Sequence, residues 1–363
     1  MKKAVFIINS LQNGGAERVV ATQANYLKEM GIDVTIIFLR KWMQYELHPG
    51  IHTIYLSRQK RFSRFSYIAG LPVLARRLNR VLEKVTRDGE IVLLTSHLLY
   101  PDVVARLTRY SSRIMAVLHD HQDIVPFSKS LPYKWFIRWL YGGRQIACVG
   151  SEIEKEMRDF YHLRQATIQP MWNPLDFKRI DEKKEEPLDF PRPYILYCAR
   201  LTAVKHPERL LAAFYRGGFY KKYSLVFLGI GELEGSLKKM VREWNMQPYV
   251  RFGGWESNVY KWMKNASLLV LTSDVEGLPM VLLEALYCGC HVVAVRNSGS
   301  AQVMRGELRK YLCGSGVREI ADKMEEALRE YPEDLQRYTK DSAVEKVVEN
   351  YMAVYKKWND TKP

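Results

Sequence analysis

Asp274-Val275-Glu276-Gly277-Leu278-Pro279-Met280-Val281-Leu282-Leu283-Glu284-Ala285-Leu286 follows an apolar run, Leu268 to Leu271, that reads as a buried parallel strand. The stretch then opens a helix on which Val281, Leu282, Ala285 and Leu286 recur with helical spacing. Strand, tight turn and helix in that order present free backbone N–H groups and the positive end of a helix dipole to whatever sits above the turn. Glu276 stands just before the helix start and Glu284 eight residues later. On a continuous helix that spacing is a little over two turns, about 12 Å along the axis. Two carboxylates so separated suit two ends of one ligand, such as a nucleoside and a sugar joined by a diphosphate. The plainer alternative, one helix-start charge and one solvated face residue, yields only to the rest of the chain.

Working outward, the same strand–helix rhythm fills both halves. In the second half the strands are Tyr194–Ala199, Ser224–Gly229, Val250–Gly253 and His291–Val295, with helices at Pro207–Arg216, Leu233–Trp244 and Val259–Asn265 and two long helical stretches near 316–331 and 342–358. In the first half the strands are Ala4–Asn9, Asp33–Leu39, His52–Leu56, Glu90–Thr95, Arg113–Leu118, Gln145–Gly150 and Ala166–Trp172. Helices are expected there at Ala16–Met30, Val103–Tyr110, Lys129–Tyr141 and Glu152–Tyr161. Alternating β/α units predict parallel sheets covered by helices. Asp176 to Pro193, charged and interrupted by three prolines, reads as a linker. The fold class is therefore α/β, with two doubly wound Rossmann-like domains facing a cleft, at 1–180 and 181–345. A terminal helix at 346–363 returns to the first domain. Ligands of such sheets lie at the carboxyl ends of the strands.

The 363 residues, 47% of them hydrophobic, are ample for two cores and argue against a disordered chain. No apolar run is long enough to span a bilayer. The opening Met1-Lys2-Lys3 and Ala4–Ile8 are too short to act as an export signal. Five cysteines with no C-x-x-C spacing read as reduced, buried thiols in a cytoplasmic protein. The net charge of +15 is uneven: residues 1–150 hold 22 Lys+Arg against 10 Asp+Glu, leaving 33 against 30 for the remainder. Such asymmetry points to an anionic surface, membrane or nucleic acid, met by the first half alone.

Several loops could carry chemistry. Gly14 and Gly15, ahead of a helix, permit close backbone approach and positive φ, and the G-x-G-x-x-G of nicotinamide enzymes is absent there. Gly229-Ile230-Gly231-Glu232-Leu233-Glu234-Gly235 is one residue too long for that fingerprint and reads as a turn. Arg200 and Lys205 place two cations on one βα loop, where arginine grips phosphate oxygens in a fork. His119-Asp120-His121-Gln122-Asp123 follows a strand, so His119 reads as a hydrogen-bonding cleft residue. Neighbouring residues on an irregular loop seldom chelate one ion, and no metal site is expected.

Taken in order, these segments resemble the GT-B glycosyltransferases of the large retaining family 4, over nearly the whole chain. The matching stretches are Asn13-Gly14-Gly15-Ala16-Glu17-Arg18-Val19-Val20, the loop Arg200 to Lys205, the Glu276-x7-Glu284 signature, and Trp172-Asn173-Pro174-Leu175-Asp176-Phe177. The last departs from the family's P-N-G-V-D pattern at Trp172 and Pro174. The resemblance implies a nucleotide-sugar donor, with a UDP-sugar expected, held by the second domain without metal or other cofactor. It implies Arg200 and Lys205 on the diphosphate, Glu284 on the ribose hydroxyls, and Glu276 on the donor sugar. The Gly277, Leu278, Pro279, Met280 and Val281 segment would offer its backbone N–H groups to the phosphates. Gly14 and Gly15 would approach the diphosphate, and His119 the sugar's 6-position. An inverting variant would instead need a carboxylate base, with Asp120 and Asp123 as candidates.

Arg58, Lys60, Arg61, Arg64, Arg76, Arg77, Arg80, Lys84 and Arg87 interleave with Phe62, Phe65, Tyr67 and Leu71. Lys129, Lys134 and Arg138 interleave with Tyr133, Trp135, Phe136, Trp139 and Tyr141. That is the composition of helices lying on an anionic membrane, against the alternative of aromatics packed into a core. The expectation is peripheral attachment to the inner leaflet and a lipid-linked saccharide acceptor, with no nucleic-acid partner. Two rivals remain at this level. A nucleotide-sugar 2-epimerase would share the fold, and a non-enzymatic nucleic-acid binder would use the basic half, although no RRM, HTH or zinc-finger pattern occurs.

Overall fold

Seven parallel strands in the first half and six in the second form two separate sheets. This computed structural model describes all residues except 13, 58–68, 121–127, 164–165, 192 and 361–363. The chain forms two compact units, 1–174 together with 344–363, and 175–343.

In unit 1 the strands are β1 (Lys2–Ile8), β2 (Asp33–Phe38), β3 (His52–Tyr55), β4 (Glu90–His97), β5 (Met115–Leu118), β6 (Gln145–Val149) and β7 (Thr167–Met171). Their spatial order is β3-β2-β1-β4-β5-β6-β7. The central strands are apolar throughout, Ala4 to Ile8 being wholly buried, because helices cover both faces. Helices α1 (Gly15–Glu29), α2 (Leu71–Val85), α3 (Leu99–Arg106), α4 (Leu131–Tyr141) and the short α5 (Ser151–Lys155) connect them. The chain reverses direction across the sheet between β3 and β4. Right-handed crossovers therefore put α1 on one face and α2, α3 and α4 side by side on the other.

Unit 2 runs α6 (Phe177–Lys184), β8 (Tyr194–Cys198), α7 (Pro207–Arg216), β9 (Ser224–Leu228), α8 (Glu234–Glu243), β10 (Val250–Gly254) and α9 (Tyr260–Asn265). It continues with β11 (Leu268–Leu271), α10 (Met280–Tyr287), β12 (Val292–Val295), α11 (Ser298–Val303), β13 (Leu312–Cys313) and α12 (Val317–Arg329). Strand order is β10-β9-β8-β11-β12-β13. The closing helix α13 (Val344–Asp360) packs on α1, β4 and β7 of unit 1. It is pinned by Gln145 Nε2 donating to Val354 O at 2.6 Å.

The α/β reading with two doubly wound domains is what the structure shows. Local readings shift in places. The expected linker contains α6, because Asp176 Oδ1 accepts from Arg179 N at 2.9 Å and caps it, and Phe177 stacks on Tyr287 at 4.2 Å. Hence unit 2 begins at Leu175 rather than 181. The helix placed at Val103–Tyr110 starts at Leu99 instead, and the one placed at Glu152–Tyr161 loosens into a π-turn from Glu156 to Phe160. The short strand β13 and helix α11 carry too few residues to show a period, and sequence periodicity missed both. The five cysteines are free thiols, four of them buried. Arg58, Lys60, Arg61, Phe62, Arg64, Phe65, Tyr67, His121, Gln122, Asp123 and Asn13 lie outside the described residues.

Candidate active site

In each sheet the strand order reverses once, and loops at the carboxyl ends of the two strands flanking that reversal splay apart to leave a crevice. In unit 2 those strands are β8 and β11. The loop after β8 carries Arg200 and Lys205, and the loop after β11 carries Glu276 and Gly277. Lys205 Nζ lies 2.7 Å from Glu276 Oε1, with both side chains mostly shielded from solvent. Residues 71 positions apart in sequence thus meet at one point.

The backbone around this pair is braced from several sides. Thr272 Oγ1 lies 3.0 Å from Lys205 O and 2.8 Å from His206 O. The Tyr197 hydroxyl lies 3.2 Å from Arg200 O and 3.4 Å from Lys205 O. His206 takes a left-handed φ of 47°, and its ring sits between Glu208 and Asp274, each at 2.7 Å. Arg209 also grips Asp274 with both terminal nitrogens, and these hydrogen bonds hold the Asp274 carboxyl below its usual range. Gly229 and Gly231 back the Arg200 loop: a Cβ on either would stand 2.0 Å from Ala199 O or 2.2 Å from Leu201 O. The two glycines are thus a close-packing device beside the cations, and the turn reading holds.

Behind the turn, Asn297 caps α11 and also donates from Nδ2 to Ser273 O at 2.9 Å. Gly299 lets α11 press on the turn, since a Cβ there would meet Glu276 O and Gly277 O at 2.6 Å each. Neither Asn297 nor Gly299 was singled out in sequence. The Asn297-x-x-Ser300 capping box was the available signal.

Helix α10 begins only at Met280, and no side chain caps it. Glu276 therefore lies in the preceding turn, and the 12 Å axial spacing expected for a continuous helix to Glu284 does not apply. Pro279 in an extended conformation interrupts the helix before it reaches Glu276. Glu284 itself is buried, with the Tyr260 hydroxyl 3.4 Å from Oε1. Gly277, Leu278, Pro279 and Met280 are buried, and Val281 is half-buried. Arg200 is exposed.

In unit 1 the reversal falls between β1 and β4. Gly14 and Gly15 follow β1. Gly14 has φ of −141° and Gly15 is the first residue of α1, so neither uses the positive φ that their pairing suggested. What they provide is room: nothing stands within 4 Å of a Cβ added to Gly15, and one on Gly14 meets only the flexible Glu17 side chain. Strand β4 ends at His97, which the sequence reading passed over. Its Nδ1 lies 2.9 Å from His119 Nε2, at the end of the neighbouring β5, and the rings meet edge to edge with centroids 5.2 Å apart. Its Nε2 lies 2.9 Å from Thr95 Oγ1. Burial pushes His119 down to about 4, partly countered by Asp120, and pushes His97 well down too. Both imidazoles are neutral near pH 7.

The residue after His97, Leu98, has φ of 74°, an uncommon strained conformation for a side-chain-bearing residue. Beneath it lies a buried network: Ser96 and Tyr141 hydroxyls donate to Asp102, and Arg144 Nη2 reaches Ser96 Oγ at 3.3 Å. Burial pushes Asp102 up to about 7 despite Arg144 beside it. Asp120 is exposed.

Among the described residues no cluster of three or more His, Cys, Asp or Glu could hold a metal ion. Chemically, unit 2 offers cations and a helix tip to an anion, and unit 1 offers room and a neutral hydrogen-bonding ring.

Comparisons with known proteins agree with this architecture. Residues 13–179 match the family model described as Glycosyltransferase Family 4, and residues 178–344 that described as Glycosyl transferases group 1. A Campylobacter jejuni protein named N-acetylgalactosamine-N,N'-diacetylbacillosaminyl-diphospho-undecaprenol 4-alpha-N-acetylgalactosaminyltransferase is 27% identical over 85% of this chain and 84% of its own. Among solved structures, sucrose-phosphate synthase from Thermosynechococcus elongatus superposes with a TM-score of 0.75 at 16% identity, covering 99% of this chain and 98% of that one. Anabaena Alr3699/HepE in complex with UDP gives 0.69 at 14%, covering 99% of each.

Proposed function

The chain belongs to the group 1 glycosyltransferases of family 4, and on that premise we propose that it moves a hexosyl or N-acetylhexosaminyl group from a UDP-sugar to a lipid-linked saccharide, with retention, in cell-surface glycan assembly. Its fold is GT-B, and it is a glycosyltransferase. The observation that carries the finer reading is the Lys205–Glu276 contact at the crevice of unit 2, in front of an uncapped helix start.

Breaking the anomeric C–O bond leaves negative charge on the nucleoside diphosphate and positive character on the sugar ring. Arg200 and Lys205 neutralise the former, together with the N–H groups of the Gly277–Val281 segment, in a role a divalent ion otherwise fills. A preorganised donor of this kind is worth about 2.7–4 kcal/mol of barrier. Glu276 orients Lys205 and contacts the sugar, and Glu284 holds the ribose hydroxyls. Gly14 and Gly15 leave room for the diphosphate, and His119 meets the sugar hydroxyl at position 6. In the front-face route the acceptor oxygen bonds to the anomeric carbon as the C–O bond to phosphate breaks. The acceptor's proton passes to the departing phosphate oxygen, so no protein base is required.

The acceptor half of the proposal draws on the helical layer α2–α3–α4. Its cations are Arg76, Arg77, Arg80, Lys84, Arg106, Lys134 and Arg138, and its acids are Glu83 and the buried Asp102. Leu131, Trp135 and Trp139 recur every four residues on α4 and are 71%, 70% and 43% exposed, whereas Tyr133 and Ile137 form the core side. The Arg106 guanidinium lies 5.8 Å over the Trp139 ring. Exposed indoles on a layer with seven cations against two acids suit the interface of an anionic leaflet. No helix among the described residues is long and apolar enough to cross a membrane, so attachment would be peripheral. The Campylobacter relative, named for a diphospho-undecaprenol saccharide, supports this acceptor class and favours transfer over 2-epimerisation.

The test is to incubate the protein with UDP-GlcNAc, UDP-GalNAc or UDP-glucose and undecaprenyl-diphosphate saccharides, reading products by mass spectrometry and anomeric NMR. Acceptor-dependent UDP release with an α-linked product is expected. An epimerised UDP-sugar formed without acceptor, or no thermal shift with UDP, overturns the proposal.

A further inference from the structure

We propose that His97 is a positioning residue that, backed by Thr95, locks His119 in one tautomer, with its proton on Nδ1, and so makes His119 a fixed hydrogen-bond donor. The assignment of that proton to the donor sugar rests on the function proposed above. The tautomer itself does not.

The argument starts on β4. Thr95 and His97 are two residues apart, so their side chains share one face of the strand, and both are wholly buried. The Thr95 hydroxyl has one hydrogen-bond partner among the described residues, His97 Nε2 at 2.9 Å. A buried O–H without an acceptor costs more than a spare lone pair, so the hydroxyl donates and Nε2 accepts. His97 then carries its proton on Nδ1, which points at His119 Nε2 at 2.9 Å. That nitrogen must accept, which leaves the His119 proton on Nδ1, where no described residue takes it.

Three features keep the chain of bonds in register. The rings meet edge to edge and lie within 27° of coplanar, which aims the lone pair of one nitrogen at the N–H of the other. Phe6 of β1 flanks His97 with ring centroids 6.0 Å apart. Leu98 departs at a strained φ of 74°, so the chain turns into α3 directly after His97. Two hydrogen bonds, one buried and one part-buried, thereby carry a choice made at Thr95 to a half-buried ring at the crevice. Reversing them would turn His119 from donor to acceptor at the same atom.

The experiment is long-range ¹H–¹⁵N correlation NMR on the full-length protein with ¹⁵N-labelled histidine at pH 7 without any nucleotide, His119→Asn identifying the resonance. A single neutral Nδ1–H form of His119 is expected, and Thr95→Val should replace it with a mixture. A neutral Nε2–H form or an imidazolium in the unsubstituted protein overturns the proposal, as does an unmoved tautomer in Thr95→Val. In the transfer assay, His97→Phe should lower kcat/KM about tenfold, the worth of one buried hydrogen bond. His97→Asn, whose amide N–H stands where Nδ1–H stood, should recover to within about threefold of the parent. Equal losses in the two variants would make His97 merely structural. Should His97→Phe fail to fold, Thr95→Val supplies both readouts. A correct tautomer with no transfer activity would sink the functional proposal and leave this one standing.

Discussion

At the crevice of unit 2 the charged side chains are matched: Lys205 with Glu276 and Arg209 with Asp274. At the corresponding crevice of unit 1 they are a hydrogen-bonded pair of neutral imidazoles, a buried threonine and two glycines. The same topological device, a parallel sheet reversing its strand order, is thus furnished with opposite electrostatics. On the function proposed above, the first must stabilise a leaving diphosphate and needs charge arranged in advance. The second would face an uncharged sugar and need directional hydrogen bonds, which an imidazolium or a carboxylate would disturb. Lys205 keeps a carboxylate beside it, so its charge is not left uncompensated in a shielded turn.

The largest effect should come from breaking the charged side. Lys205→Met is expected to lower kcat/KM about 10²–10³-fold, read as UDP release, because it removes a preorganised cation from the developing charge. A loss below about tenfold would put the anion site elsewhere. The neutral side is probed by pH. Folded His119 titrates at about 4 against about 6.5 when unfolded, so between these values the unfolded chain binds more protons. Its contribution is complete above the unfolded value and is lost as pH falls toward 4, at most about 3 kcal/mol. Urea unfolding at pH 7 and 4.5 should show the loss, and His119→Asn should shrink it. An identical slope in that variant would place the sensitivity elsewhere.

Packing behind the two crevices offers a smaller contrast. Gly299→Ala drives a Cβ into two backbone carbonyls and should cost about 1–3 kcal/mol in a denaturant midpoint, with weaker UDP binding. Gly15→Ala meets open space and should leave stability within about 0.5 kcal/mol, while slowing turnover if the diphosphate approaches there. Equal destabilisation by both would erase the distinction drawn between them. Smallest are single charge removals on the α2–α4 layer. Lys134→Gln or Arg138→Gln should each weaken flotation with phosphatidylserine vesicles by about 1 kcal/mol, roughly fivefold, an effect abolished by high salt. Binding insensitive to salt would assign the surface to aromatic packing instead.

Much of this was legible in one dimension. The β/α alternation, the apolar central strands and the restart of the pattern in the second half are local or periodic properties, and they survive translation into sequence. Boundaries fared worse where capping overrode composition: the charged stretch after Asp176 looked like a linker until its cap and the Phe177–Tyr287 stack were seen. Glu276 and Lys205 were readable as candidates because each sits on a loop after a predicted strand. His97 was invisible because it closes an apolar strand, where a lone histidine looks like a core residue, and its partner lies 22 residues away.

The sequence by itself determined where most strands and helices fall, since hydrophobic period and turn chemistry act over a few residues. It also concentrated most of the excess positive charge in the first half. Only the tertiary structure decided that strand order reverses between β1 and β4 and between β8 and β11, and therefore which loops meet. It alone set Lys205 against Glu276 and turned His97 toward His119. Contacts between residues far apart along the chain depend on how sheets are wound and packed, and no local pattern records that.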